Sequence, residues 1–384
     1  MAKILLKNIG CLYSGNIKEP VLKANSILIE DGKIVEVGND LSAADAKVID
    51  AKGTTVMPGL IDSHTHPVVG EWTPRQGSMS WIDPYVRSGV TGLISVGETH
   101  IPGKPKNAEG MRALATLAKQ TFDNVRPAKM KLYGGAYILH KDAVEADFKK
   151  FVDMGTKCTG EIGLGSANTV ETVGHMMKWA KDAGLKVTIH RGASYLHGSN
   201  SIDPDTIVAL QPDVICHVSL GRVPKDEIHR YFDETKSNIE ITRPQLGSID
   251  ANSEVISYAK KRNELERVIF GNDCPSGFGI YPHGIWELVM FASTFCDISV
   301  GTAIALATGN TAVAFNLKDT GTVRAGNWAD LVICDAPAGS ELKDATAAIA
   351  DGTLPGISIV MIDGEVVAQG ARVNTAPAKN KVCA

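Results

Sequence analysis

Short apolar runs recur along this chain, separated by longer stretches whose apolar positions repeat every three to four residues. The runs predict buried strands, and the longer stretches predict amphipathic helices. Through the middle of the chain the two kinds alternate eight times. Strands are predicted at Thr55–Ile61, Gly92–Val96, Lys131–Ile138, Gly160–Leu164, Lys186–Ile189, Asp213–Cys216, Asn238–Ile241 and Arg267–Phe270. The intervening helices include Ala108–Phe122, Glu171–Ala183, Asp203–Leu210, Lys225–Phe232 and Asn252–Lys261. Eight such units in about 260 residues match the size and rhythm of a (β/α)8 barrel of the α/β class. The competing architecture, a doubly wound open sheet, lacks its phosphate loop: no glycine-rich turn follows the first strand, and Gly163 and Gly165 fall on strand four.

The two ends of the chain follow a different pattern. Ser26–Glu30, Asp31-Gly32 and Lys33–Gly38 form a strand, a tight turn and a strand, because Asp-Gly supplies the positive φ angles of a two-residue hairpin loop. Near the other end, Ala329–Asp335 predicts a strand, and Ile357–Ile362 runs through Asp363-Gly364 into Glu365-Val366-Val367. The economical reading is a small β-sandwich made from residues 1–56 and 316–384, with the barrel, 57–315, inserted between them.

With 384 residues, 44% apolar and 21% charged, the composition is that of an ordinary globular chain. A net charge of −4 offers no basic surface for nucleic acid or an anionic membrane. No apolar run approaches the ~18 residues of a membrane-spanning helix. The seven cysteines lack CxxC spacing, which argues against a disulfide framework. With no signal-peptide pattern at the start, a cytoplasmic protein acting on a small molecule is expected.

The chemistry lies at the strand ends. His64 and His66 in Asp62-Ser63-His64-Thr65-His66 face the same side, because strand side chains alternate. Strand four carries Glu161, strand five ends in His190, strand six in His217 and strand eight in Asp273. In a barrel these ends converge on one mouth. A single histidine closing an apolar strand is usually a hydrogen-bonded core residue, Asp273 alone could cap a helix, and Glu161 alone could pair with a lysine. All six at one mouth are too many donors for one tetrahedral zinc and suit two metals bridged by a carboxylate and a hydroxide. Ligand type leaves zinc, iron and manganese open. No nucleophile elbow is present, and alternation turns Cys216 and Cys274 outward as packing residues.

The run Pro58-Gly59-Leu60-Ile61-Asp62-Ser63-His64-Thr65-His66, the later single histidines, Phe270-Gly271-Asn272-Asp273 and the C-terminal Ala329-Asp330-Leu331-Val332 resemble the amidohydrolase superfamily. The likeness extends over nearly the whole chain. It includes Pro74-Arg75-Gln76, Pro102-Gly103-Lys104-Pro105-Lys106, Gly160-Glu161-Ile162-Gly163-Leu164-Gly165 and Ala307-Thr308-Gly309-Asn310. The resemblance implies two divalent metal ions per chain, one held by His64, His66 and Asp273 and the other by His190 and His217. Glu161 would be shared in place of the carboxylated lysine of many members, leaving Lys157 as a surface residue. It also implies zinc, with zinc or iron at the second site, a homotetramer, and Asp273 as proton shuttle. The implied reaction is hydrolysis of a cyclic amide such as 6-oxo-1,4,5,6-tetrahydronicotinate to 2-formylglutarate and ammonia. A related activity on another C–N bond, dihydroorotase-, deacetylase- or dipeptidase-like, is the nearest alternative. A non-catalytic scaffold of the same fold is a further one, which retention of all six ligands disfavours.

A carboxylated ring calls for an arginine, whose fork binds a carboxylate at two points. Arg191, Arg222 and Arg243 lie at the mouth, with Arg191 the first choice because it follows His190 and precedes Gly192. Tyr195 and His197 in the strand-five loop are expected to line the pocket. His100, His140 and His283 are weaker candidates, and His175 and His229 fall on helices as surface residues.

Overall fold

The computed structural model describes residues 3–67, 81–101, 103–191, 200–243, 247–275, 279–370 and 375–384. Parallel strands form a ring of eight. Leu60–Thr65, Val90–Ser95 and Lys131–Tyr133 make one parallel sheet. Thr188–His190, Val214–Cys216, Asn238–Thr242 and Val268–Gly271 make another. Strand four is reduced to single bridges: Thr159 pairs with Tyr137 on one side, and Cys158 and Ile162 pair with Lys186 and Ile189 on the other. A bridge from Cys274 to Thr65 closes strand eight onto strand one.

The predicted first strand, Thr55–Ile61, proves to be two. Thr55–Pro58 pairs with Leu331–Asp335 and Cys11–Tyr13 in a six-stranded sheet built from both ends of the chain, whereas Leu60–Thr65 is the first barrel strand. Gly59 is the hinge, and its backbone passes so close to strand two that a Cβ there would lie 2.2 Å from the Thr91 hydroxyl. An apolar run carries no mark of which sheet each half joins.

The remaining strands behave as patterned. Ser26–Glu30 and Lys33–Gly38 pair antiparallel around Asp31-Gly32, with φ of 53° and 80°, and Asp363-Gly364 turns likewise at 51° and 73°. A second four-stranded sheet, of Lys3–Lys7, Ser26–Glu30, Lys33–Gly38 and Lys47–Asp50, shares with the six-stranded sheet one buried cluster that includes Leu6, Ile29, Ile34, Leu331, Ile359 and Met361. The five predicted helices are present within a few residues, Ala108–Asn124 and Ile249–Arg262 among them. Glu145–Asp153 and Gly284–Phe295 are helices as well. Among the described residues no helix is long and apolar enough to cross a membrane.

Inside the ring, below the mouth, Ile61, Ile94, Val96, Cys158, Val214, Cys216 and Ile269 form a closed apolar plug. Its side chains leave no room for solvent, so strand ends meet their partners at a dry floor. Cys216 therefore faces inward, contrary to the alternation argument. His217, the next residue, lies beyond the strand and adopts a positive φ of 35°, which aims its ring back over the barrel.

Candidate metal centre

His64 and His66 stand on strand one with their Nε2 atoms 3.2 Å apart. Their other ring nitrogens settle which tautomer each adopts. Nδ1 of His66 lies 2.8 Å from the carbonyl oxygen of Gly97, which can only accept, so that nitrogen holds the proton. Nδ1 of His64 donates in the same way to Oε1 of Glu240 at 2.7 Å. Two Nε2 lone pairs consequently converge on one point. Oδ1 of Asp273 approaches them at 3.5 and 3.3 Å, and Oε2 of Glu161 at 3.3 and 3.6 Å. Four electron-rich atoms facing one another in a buried space are mutually repulsive unless a cation lies between them.

The second oxygen of Glu161 turns the other way. Oε1 is 2.9 Å from Nε2 of His217 and 3.6 Å from Nδ1 of His190. One carboxylate thus offers one oxygen to each histidine pair. Both ring nitrogens of His190 and Nδ1 of His217 are buried with no hydrogen-bond partner among the described residues. Such orphaned groups cost about 1–3 kcal/mol each, which ligation would offset. Nitrogen and carboxylate donors in this set fit divalent ions, and the His64, Glu161, His217 and the His64, His66, Asp273 groups each have their donor atoms within 4.8 Å of one another.

The electrostatics point the same way. Burial alone would push the Glu161 carboxyl up, but the His64 and His217 rings outweigh it and hold the group well below the usual carboxylate range. Burial likewise opposes charge on His64, yet Glu161, Glu240 and Asp273 together raise it well above an ordinary histidine. Fixed carboxylates around this centre demand positive charge.

Asp273, like His217, has a positive φ, 51°. Aspartate tolerates that conformation because its short polar side chain bonds locally, and here it swings the carboxylate back over strand one. The Asp273 amide donates to the His64 carbonyl at 2.9 Å, stitching strand eight to strand one at the level of the ligands.

The arginines separate cleanly. Arg191, 7% exposed, reaches away from the ligands: Nε donates to Glu227 at 2.6 Å and Nη1 to the carbonyl of Leu220 at 3.0 Å. Glu227 also accepts from Tyr231, so the charge of Arg191 is neutralised within the helix layer. Arg222 is exposed. Arg243, 1% exposed, follows strand seven. Its guanidinium lies 3.6 Å from the centre of the Tyr281 ring, Nε donates to Asn272 beside Asp273, Nη2 donates to Cys274 Sγ, and Nη1 is buried with no hydrogen-bond partner among the described residues. Among the described residues no carboxylate pairs with it.

Tyr195, His197 and Pro74-Arg75-Gln76 lie outside the described residues. His100 packs edge-on against His66 at 5.0 Å, and burial pushes it down to about 4. His140 is buried, His283 precedes the helix Gly284–Phe295, and His175 is exposed on Val170–Ala183. His229 is half-buried, stacked on Tyr258 and bonded to Glu254. Lys157 stands at the opposite end of strand four from Glu161, half-buried rather than on the surface.

Three contributors escape a sequence reading: Glu240, Asn272 and Tyr281. Glu240 did leave a signal. A glutamate between two isoleucines in a barrel strand must be buried, and a buried carboxylate needs donors.

The amidohydrolase family model matches residues 166–368. The chain is 42% identical to the enamidase of Eubacterium barkeri, over 99% of this chain and 98% of that protein. It is 27% identical to an adenine deaminase of a Ruegeria species, over 92% of this chain and 55% of that one. Its structure superposes on the crystal structure of enamidase with a TM-score of 0.93 and 41% identity, covering all of both chains. This protein belongs to the amidohydrolase family and is a hydrolase of carbon–nitrogen bonds other than peptide bonds.

Proposed function

We propose that the chain opens a carboxylated cyclic amide of the 6-oxo-1,4,5,6-tetrahydronicotinate kind with two divalent metals, zinc at one site and zinc or iron at the other. His64, His66 and Asp273 would hold one, His190 and His217 the other, and Glu161 both. The observation that carries this reading is the division of the Glu161 carboxylate between two histidine pairs. Likeness to an enamidase supports the substrate class.

Two bound divalent ions supply Lewis acidity, polarising a carbonyl and lowering the pKa of water from 15.7 to about 7. The protein residues supply the rest. Asp273, with a side chain 14% exposed toward the mouth, is placed to accept a proton from the attacking water at a carboxylate oxygen. It returns that proton to the ring nitrogen as the C–N bond breaks. The hydroxyl stays on the carbonyl carbon, and the carboxylic acid so formed loses its proton to solvent. The nitrogen leaves as an enamine, which takes up a second water to give the aldehyde and ammonia.

Arg243, rather than Arg191, is proposed to receive the ring carboxylate, because it is a buried cation with a donor unused among the described residues whereas Arg191 is already paired. Tyr195 and His197 remain proposed as pocket residues on the sequence alone. The deciding assay follows ammonia release from 6-oxo-1,4,5,6-tetrahydronicotinate and, by chromatography, the ring-opened or cleaved products of dihydroorotate, N-acetyl amino acids and dipeptides alongside. Turnover of one of those three and none of the lactam would overturn the reading in favour of a related amidohydrolase. In the same assay Arg243→Ala should lower kcat/KM for the carboxylated lactam at least a hundredfold. That is about 2.7 kcal/mol, within the cost of unpairing a buried charge. A neutral lactam should lose little, and Arg243→Lys should recover only part, since an ammonium lacks the fork.

A homotetramer in the cytoplasm, with the chain ends as a β-sandwich around the barrel, completes the proposal, the first boundary moving from residue 56 to Gly59 because Met57 and Pro58 pair with Val332 and Leu331. Light scattering on the purified chain should return the mass of four copies, and a monomer would refute that part.

A further inference from the structure

Glu240 has no part in the reaction described above, yet it is fully buried beneath the ligands and accepts three hydrogen bonds. Oε1 takes the Nδ1 proton of His64 at 2.7 Å and the backbone N–H of His217 at 3.1 Å. Oε2 takes the hydroxyl of Ser63 at 2.5 Å. Every partner among the described residues is a donor, so both carboxylate oxygens act as acceptors. Cys216 and His64 also lie close enough to make a third donor cluster with it. The His64 nitrogen facing Glu240, however, is the protonated Nδ1, which has no lone pair to offer a cation.

From this arrangement we infer that Glu240 is a positioning residue for both metal sites. It fixes His64 as the Nδ1–H tautomer so that Nε2 faces the first site, and it anchors the backbone of His217, which faces the second. A carboxylate behind a ligating imidazole also raises the basicity of that ligand. The packing leaves Glu240 no alternative place. At Gly271, on the neighbouring strand, an added Cβ would come within 2.7 Å of the Glu240 carboxyl carbon and equally close to the His64 Cβ. Strands one, six, seven and eight therefore meet at this one side chain.

The inference rests on the two-metal reading, and its test separates the two. Zinc affinity is measured by competition with a chromophoric chelator on metal-stripped protein, for the wild type and for Glu240→Gln. The amide keeps the shape and loses the charge. Zinc should bind the variant at least tenfold more weakly at one site or both. The metal-free variant should unfold at no lower a temperature than the metal-free wild type, because a neutral amide is easier to bury than a carboxylate. A role in folding alone would instead lower the metal-free melting temperature and leave affinity unchanged. Affinities within threefold of each other, with two zincs bound by both proteins, would overturn the inference while sparing the two-metal reading. A wild type that binds no zinc would overturn both. Should Glu240→Gln not fold, nitrogen NMR of the zinc-loaded wild type decides. His64 should carry a proton on Nδ1 and ligate through Nε2, and the reverse attachment would refute the assignment.

Discussion

Asp273→Asn should leave a folded protein whose kcat is lower by about two to four orders of magnitude, the range that a positioned general acid–base group supplies. The substitution isolates proton transfer from shape. Asparagine matches aspartate in size and is equally at home at the left-handed φ of 51° found there. The hydrogen bond donated by the backbone N–H of residue 273 to the His64 carbonyl does not depend on the side chain. An amide oxygen can still face the Nε2 atoms of His64 and His66, now 3.5 and 3.3 Å away, so part of the metal should be retained. What asparagine cannot do is take up a proton and hand it to a leaving nitrogen. Stopped-flow assay with metal analysis on the same sample checks this. Wild-type kcat in a fully loaded variant would remove Asp273 from the proton path.

Glu161→Ala should act earlier, on the metals themselves. Each of its two oxygens serves a different histidine pair, and no other carboxylate among the described residues does so. Without it the pairs lose their common counter-charge, and the imidazoles, 4.5–5.1 Å apart between ring centres, repel whatever charge they acquire. Elemental analysis should fall from close to two transition-metal ions per chain to one or fewer, with turnover at background. Wild-type protein treated with a chelator should reproduce that loss. Two ions per chain in Glu161→Ala would exclude it as the shared ligand.

Beyond these effects, the residues differ in how far a sequence exposes them. The six proposed ligands are visible because each closes an apolar run or lies in a short motif, and the barrel brings such ends together by its topology alone. The hairpins at Asp31-Gly32 and Asp363-Gly364 are visible for a local reason too, since few other pairs accept two positive φ angles. Arg191 shows where local logic stops. It sits one position past a ligand, and strand alternation turns it outward, but only the helix Lys225–Glu234 supplies the Glu227 that claims it. Arg243 looks equivalent in sequence and, among the described residues, has no carboxylate partner: its neighbours there are Tyr281, Asn272 and Cys274.

Periodicity, turn chemistry and the residue types at strand ends determined by themselves the alternating barrel, the terminal β strands and the six metal-type side chains. These depend on contacts within a few residues or on a topology that repeats. Tertiary structure alone decided that the apolar run through Gly59 divides between two sheets, that Cys216 faces the barrel interior, that Arg191 is paired with Glu227, and that Glu240 stands behind His64. Each of those depends on partners far along the chain, such as Leu331 against Pro58, 273 positions away, or His64 against Glu240, 176 positions away. No pattern in the chain records such partners, because a buried charge or donor is satisfied by whichever distant group the fold brings to it.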